Sequence, residues 1–316
     1  TRHPARKNEQ MATKSFVSRA LDGIFGAARL RAYVWASVVS QILIVVTGGA
    51  VRLTGSGLGC PTWPKCTEDS LITVPEMGIH GIIEFGNRLL TFVLVLIALL
   101  TFVTVWRLGK PERRGMVWPS LSLGLGIFGQ AVIGGISVWT NLNPWVVGLH
   151  FVLSAALIAI ATTLVWRFYG FSGGTISAAS KALAWPITVV GYVTIVVGII
   201  VTGAGPHAGD ADAPRNGLDL EIWQHVHSYP GYLLVTLTLI AFILQRREVK
   251  GRTRLNKIQL ALLLVEVAQA ILGVVQARLG VPPLLVGLHM LGASVLVALF
   301  TANLIESRKT AQNSIR

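Results

Sequence analysis

Eight apolar runs of about twenty residues dominate this 316-residue chain and leave it one kind of solvent. They cover roughly 33–53, 80–106, 118–138, 144–166, 183–203, 226–244, 258–278 and 283–303. A run of that length crosses the hydrocarbon core of a bilayer as a helix. Hydrophobic residues make up 53% of the chain and charged residues only 13%, more apolar surface than a water-soluble domain can hide. Backbone that faces lipid must satisfy its own hydrogen bonds, so the expected fold class is an all-α integral membrane protein of eight spans.

The formal charge of +13 raises the question of nucleic acid, and its placement answers it. Arg2, Arg6, Lys7, Lys14, Arg19, Arg29 and Arg31 precede the first span, and Arg107, Lys110, Arg113 and Arg114 follow the second. Arg167 and Lys181 flank the fourth connection, Arg246, Arg247, Lys250, Arg252, Arg254 and Lys257 fill the sixth, and Arg308, Lys309 and Arg316 close the tail. The alternate connections hold Glu68, Asp69, Asp210, Asp212, Asp219 and Glu221 instead. This is the positive-inside pattern, with both termini cytoplasmic in a multi-pass cell (plasma) membrane protein. The partner implied by the charge is the lipid bilayer, not a nucleic acid. Residues 1–30 have mixed polarity and no compact apolar core, which argues against a cleavable signal peptide. They read either as a basic tail or as a short amphipathic piece with Phe16, Val17, Leu21, Ile24 and Phe25 on one side.

The second half repeats the first. Gly129-Gln130-Ala131-Val132-Ile133-Gly134 is answered by Ala268-Gln269-Ala270-Ile271-Leu272-Gly273, and Gly148-Leu149-His150 by Gly287-Leu288-His289. Twenty positions separate Gln from His in both copies. The expected organisation is therefore a basic segment at 1–32, a four-helix half at 33–170, a linker at 171–182, a second four-helix half at 183–304 and a tail at 305–316. Four spans per half start both halves from the same side, a parallel repeat that argues against an inverted-repeat transporter.

Ionisable side chains at membrane depth are costly, about 2.5–3.5 kcal/mol each on insertion scales, so each is a functional candidate. His80, Glu84 and Asn87 or Arg88 share one face of the second span. Glu84 is the candidate for proton chemistry, with His80 one turn outward as a relay; the competing reading is an intrahelical Glu84–Arg88 ion pair. In the sixth span His225 and His227 are two apart, so only one of them points inward with His289. The repeat favours His227, because Asn87 precedes His150 by 63 residues and His227 precedes His289 by 62. Two imidazoles on facing helices, His227 and His289, suit a six-coordinate haem iron. The first-half pair is Asn87 and His150; asparagine is a poor iron ligand, which suits a five-coordinate or weakly held iron, as in a haem-like substrate bound with one face open. Arg52 reads as a haem propionate partner or as an ordinary snorkelling cation, and His207 as a loop residue. Glu266 and Gln269 either line the second cavity or bond between helices.

Cys60 and Cys66 lie in an extracytoplasmic loop stiffened by Pro61 and Pro64. On the oxidising side they read as a disulfide staple or as a reversible dithiol, and two cysteines are too few for zinc alone.

These residues resemble a known family. Thr47 to Cys66, with Thr47-Gly48-Gly49-Ala50-Val51-Arg52 and Gly59-Cys60-Pro61-Thr62-Trp63-Pro64-Lys65-Cys66, is similar to the first-helix and loop signature of haem A synthases. Ile83-Glu84-Phe85-Gly86-Asn87-Arg88, Pro144-Trp145-Val146-Val147-Gly148-Leu149-His150 and Gly287-Leu288-His289 resemble motifs of their second, fourth and eighth helices. The resemblance implies oxidation of the C8 methyl of haem O to a formyl group, giving haem A for terminal oxidases. It implies a haem b on His227 and His289, a substrate haem in the N-terminal half, and a reactive role for Glu84. It further implies a disulfide that affects activity or haem transfer, with a haem O synthase and an electron donor as partners. Many members carry histidine where this chain has Asn87, so His150 is the one axial ligand expected for the substrate haem. A membrane cytochrome that only transfers electrons would need the His227/His289 pair but neither Glu84 nor a vacant first-half site.

Overall fold

The computed structural model describes residues 16–109, 115–170, 175–251 and 253–308. The basic residues Lys110, Arg113, Arg114, Arg252, Lys309 and Arg316, residues 1–15 with His3, and parts of the expected linker and tail lie outside the described residues. A short helix α1 (Phe16–Phe25) precedes eight long ones: α2 (Ala27–Leu53), α3 (Gly78–Arg107), α4 (Val117–Trp139), α5 (Pro144–Tyr169), α6 (Ala178–Ala204), α7 (Leu220–Glu248), α8 (Arg254–Arg278) and α9 (Pro283–Arg308). All eight are long and apolar enough to cross a membrane, and among the described residues there is no strand. The chain is a multi-pass membrane protein.

The helices run beyond the apolar runs at several ends. Apolarity stops where the chain meets polar surroundings, whereas the backbone ladder continues until a cap closes it. Asn143 caps α5 through the Trp145 amide, Ser177 caps α6 through Ser180, Asp219 caps α7 through Ile222, and Thr253 caps α8 through Asn256. Gly170 ends α5 in the left-handed region, φ 53°. Pro186 and Pro230 lie inside α6 and α7 and do not break them, as neighbouring helices permit in membrane bundles.

Each of α2, α3, α4 and α5 packs on the next, and α5 returns to α2; α6, α7, α8 and α9 repeat that circuit. Across the two sets, α9 lies against α2 and α5, and α5 against α6. One apolar core lies wholly within the first set and includes Leu30, Val34, Ala98, Val105, Leu123, Ile127 and Leu164. A second core combines Ile187, Leu234, Leu262, Val297 and Phe300 with Val45, Ala155 and Ile158 of the first set, so it seals the junction. Large apolar side chains also point outward, with Phe92 and Phe128 each 71% exposed, as expected where the surrounding medium is lipid. α1 is tied to α3 by the Arg107–Asp22 ion pair (3.0 Å) and to α2 by the Tyr33 hydroxyl, which donates to the Ile24 carbonyl.

At the end of the bundle that carries the Cys loop, the loops join the two sets of helices. Gly57 donates its amide to the Gly209 carbonyl (2.7 Å), and within the second set the His207 ring bonds the Val281 carbonyl (2.8 Å). Cys60 and Cys66 are joined by a disulfide with Cα atoms 4.4 Å apart.

A candidate haem site in each half

α7 and α9 bring the rings of His227 and His289 together edge to face, centroids 6.3 Å apart and planes inclined by 75°. His225 turns away: it is exposed, and its Nδ1 lies 2.8 Å from the Glu221 carbonyl. The physical reason is the helical advance of about 100° per residue, which sends residues two apart to opposite sides. Each facing histidine rests on a glycine of a third helix. A Cβ on Gly198 of α6 would stand 2.9 Å from His227 Cε1, and one on Gly273 of α8 would stand 3.6 Å from His289 Cε1. Among the described residues Nδ1 of neither ring has a well-formed hydrogen-bond partner, although the Thr194 carbonyl acts on His227.

These features fit a haem. A metal–imidazole bond is about 2 Å, so two of them plus the inner halves of two rings span roughly 6 Å, the separation seen. A ring nitrogen near a backbone carbonyl is the usual outer support of an axial imidazole. Among the described residues no group of three or more His, Cys, Asp or Glu gathers as a bare-ion site would require. A macrocycle that brings its own four nitrogens needs only the two.

The first half repeats the plan with one substitution. His150 on α5 rests on Gly134 of α4, where a Cβ would stand 3.1 Å from Cε1. Gln130, one turn from Gly134, donates to Ser154 Oγ (2.6 Å) and to the His150 carbonyl (3.2 Å). Asn87 on α3 holds the position equivalent to His227, with its amide 4.0 Å from a Cβ built on Gly48. Asn87 Oδ1 is buried and has no partner among the described residues.

Glu84 is buried, and both its oxygens are engaged. Oε1 accepts from Arg88 Nη2 (2.5 Å) and Nε (3.1 Å), while Oε2 accepts the Cys60 amide (2.5 Å). Arg88 also donates to the carbonyls of Cys60, Thr62 and Lys65 (3.0, 3.0 and 3.2 Å). The Glu84–Arg88 pair is therefore a clamp on the disulfide loop. That loop seats Trp63 on α4: a Cβ on Gly135 would fall 2.4 Å from the indole, and Trp63 and Trp139 meet edge to face at 5.4 Å. Trp63 thus lies one residue along α4 from the glycine under His150. His80 is exposed and bonds Ser56 Oγ (2.8 Å), so the structure places it on the outer loop and not on Glu84. Arg52 donates from Nε to the His207 carbonyl and from Nη2 to the Thr202 carbonyl (2.8 Å), crossing from α2 to the loop after α6.

The COX15-CtaA family, described as cytochrome oxidase assembly protein, matches residues 31–301. The chain belongs to this family. It is 28% identical to a heme A synthase of Staphylococcus epidermidis over 231 residues, covering 66% of this chain and 74% of that protein. It is 32% identical to a heme A synthase of Methylobacterium radiotolerans over 236 residues, 61% of this chain and 60% of the relative. A heme A synthase of Bacillus pumilus shares 36% identity over 126 residues, 39% of either chain. Residues 31–301 take in every long helix almost entirely, and with them Arg52, the Cys loop, Glu84, Asn87 and all three facing histidines.

Sequence reasoning had no grip on Trp63, Gly48 or Gly198, whose roles are contacts between distant segments. Gly134 and Gly273 were within reach, since they close the repeated motif sixteen residues before His150 and His289.

Proposed function

We propose that this chain is a haem A synthase, an oxidoreductase that converts the C8 methyl of haem O to a formyl group. The observation that carries the reading is the asymmetric repeat. One half presents His227 and His289 at 6.3 Å, while in the other the repeat sets His150 at the position of His289 and Asn87 at that of His227. A two-imidazole site makes a resident electron-transfer haem b, and a one-imidazole site leaves the opposite face of a substrate haem free for oxidation. Family membership and the printed names of the relatives support the same activity.

In this reading the two packing circuits are pseudo-symmetric four-helix units, 33–170 for the substrate and 183–304 for haem b. They are flanked by the basic segment 1–32, the linker 171–182 and the tail 305–316, all cytoplasmic, and the membrane is the plasma membrane. His227 and His289 hold haem b, which supplies one-electron redox chemistry when bound. His150 holds the substrate haem, and Gly134 and Gly48 keep the faces of that site clear. Glu84 handles protons. Its Oε2, which among the described residues accepts only the Cys60 amide, is the oxygen placed to take a proton while Oε1 stays on Arg88. His80 reaches the outer surface through Ser56 and completes the proton route by way of the loop. Arg52 and Arg88 supply positive charge near the outer edge, where haem propionates would lie, and Asn87 leaves the substrate iron without a second protein ligand. A haem O synthase and an electron donor are the partners this chemistry requires.

The test is the haem extracted from cells with and without this chain. Haem A that appears only with the chain supports the enzyme, and haem O accumulating unchanged refutes it. Pyridine-haemochrome analysis then separates the sites. His289→Ala should lose haem b, and His150→Ala should lose chiefly the substrate or product haem.

A further inference from the structure

One buried carboxyl of the second half has no part in that scheme. Glu266 of α8 is 3% exposed, its Oε1 accepts from the Thr238 hydroxyl of α7 (2.9 Å), and its Oε2 has no partner among the described residues. The repeat sets Ile127 and Ala98 at the corresponding positions of the first half, both buried in its apolar core. The four-helix plan therefore packs without a carboxyl here. A simple interhelical bond would need only a neutral acceptor, which glutamine supplies without an ionisable oxygen.

Glu266 shares a face of α8 with Gln269 and Gly273, three and seven residues further along. The Gln269 amide lies against Gly292 of α9, and Gly273 lies against the His289 ring. By helical rise the carboxyl is about 10 Å along the axis from that ring. In the other direction the same face continues to Gln259 and Asn256, both buried. Gln259 Nε2 donates to Ser180 Oγ (3.1 Å); on α9, Asn303 is 0% exposed, and among the described residues neither its amide atoms nor Gln259 Oε1 has a partner. Leu262 of α8, between Gln259 and Glu266 in sequence, and Phe300 of α9 are buried in the second apolar core. The titratable side chains facing this interior are His227 of α7, Tyr192 of α6, whose hydroxyl bonds Thr301, and His289 and Glu306 of α9. Glu306 is itself engaged by Trp166 and Arg254.

We propose that Glu266 is the proton acceptor coupled to reduction of the haem held by His227 and His289, with the proton entering from the end that carries Asn256, Gln259 and Asn303. The inference rests on the haem b reading above. In the step, a one-electron reductant gives one electron to the ferric iron, which becomes ferrous. One proton bonds to Glu266 Oε2, and the carboxylate becomes a carboxylic acid. The membrane interior keeps the same net charge, which removes the cost of adding an unbalanced charge at low dielectric. Two unit charges roughly 10 Å apart in an effective dielectric of about 20 change each other's proton affinity by on the order of tenfold. The ferrous site carries one positive charge less, so it holds the proton more tightly and the midpoint potential is higher at low pH.

The experiment is a redox titration of the purified protein across pH, with an infrared redox-difference spectrum. In wild type the midpoint should fall by about 60 mV in total as pH rises, the one-electron equivalent of a tenfold change. A carboxylic-acid carbonyl band should appear on reduction and shift in heavy water. Glu266→Gln, which keeps the Thr238 bond, should remove both the fall and the band. A wild-type midpoint independent of pH, or the same fall and band in Glu266→Gln, overturns the proposal. If Glu266→Gln fails to take up haem, Thr238→Val decides, because it should keep the band and move its frequency; an unmoved band overturns the proposal. Purified protein with no haem in this half would overturn the haem b reading as well, an outcome visible before any titration begins.

Discussion

Replacing Gly198 by alanine tests the haem b site through a single methyl group. The new Cβ would stand 2.9 Å from His227 Cε1, and ordinary contact begins near 3.4 Å, so ring or helix must yield by about 0.5 Å. Overpacking of this kind costs about 1–3 kcal/mol. Alanine also favours the helix by about 1 kcal/mol over glycine, so global stability moves little while the imidazole is displaced. At 1.4 kcal/mol per tenfold, haem affinity should weaken by about five- to hundred-fold. Gly273→Ala is the internal control, because its Cβ meets His289 Cε1 at 3.6 Å, an ordinary contact, and gains the same helix propensity. Gly134→Ala, at 3.1 Å from His150, should fall between them, with its effect on the first-half site alone. The assay is haem per polypeptide by pyridine haemochrome, with the reduced-minus-oxidised spectrum and a thermal unfolding curve in detergent. Full haem and an unchanged spectrum in Gly198→Ala, with loss in Gly273→Ala, would refute the reasoning that these glycines clear the axial rings.

The remaining predictions use the same preparation. His227→Ala should abolish the haem b spectrum while His225→Ala leaves it intact, since only His227 faces His289; an equal loss in both would reverse the assignment. Glu84→Gln has a single acceptor oxygen, enough for the Cys60 amide but not for the Arg88 pair as well, and should lower haem A output at least tenfold, read as the ratio of haem A to haem O in extracts. Cys60→Ser opens a loop whose cysteines are six residues apart, which removes about 2 kcal/mol of loop-closure stabilisation. It should also loosen the Glu84–Arg88 clamp, so proteolysis within 61–65 should quicken and activity should fall. Asn87→His should give the first half a second axial nitrogen, seen as an additional six-coordinate haem spectrum, with turnover lost if the open face is essential.

Membrane class was legible from local physics alone. A twenty-residue apolar run has few places to go but through a bilayer, so the eight helices were expected within a few residues of their observed ends. Those ends were displaced because Arg107, Glu248 and Arg308 continue their helices past the point where apolarity stops. The choice of His227 over His225 was also legible, because a repeat records its own register. Other features were not. The bonds of Arg52 to the Thr202 and His207 carbonyls and of His80 to Ser56 are examples. No local pattern reveals which carbonyl of a distant loop will lie within reach.

The amino-acid order by itself determined the solvent, the number of spans, the doubling of the plan and the substitution of Asn87 for a histidine at the position His227 holds in the other copy. Periodicity and composition act over a few helical turns, and that range is enough for each of these. Tertiary packing alone decided that Glu84 would be locked to the Cys60 amide, that Trp63 would sit on Gly135, and that each facing imidazole would rest on a bare glycine. Those contacts join segments tens of residues apart, and they come into being only when the helices close on one another.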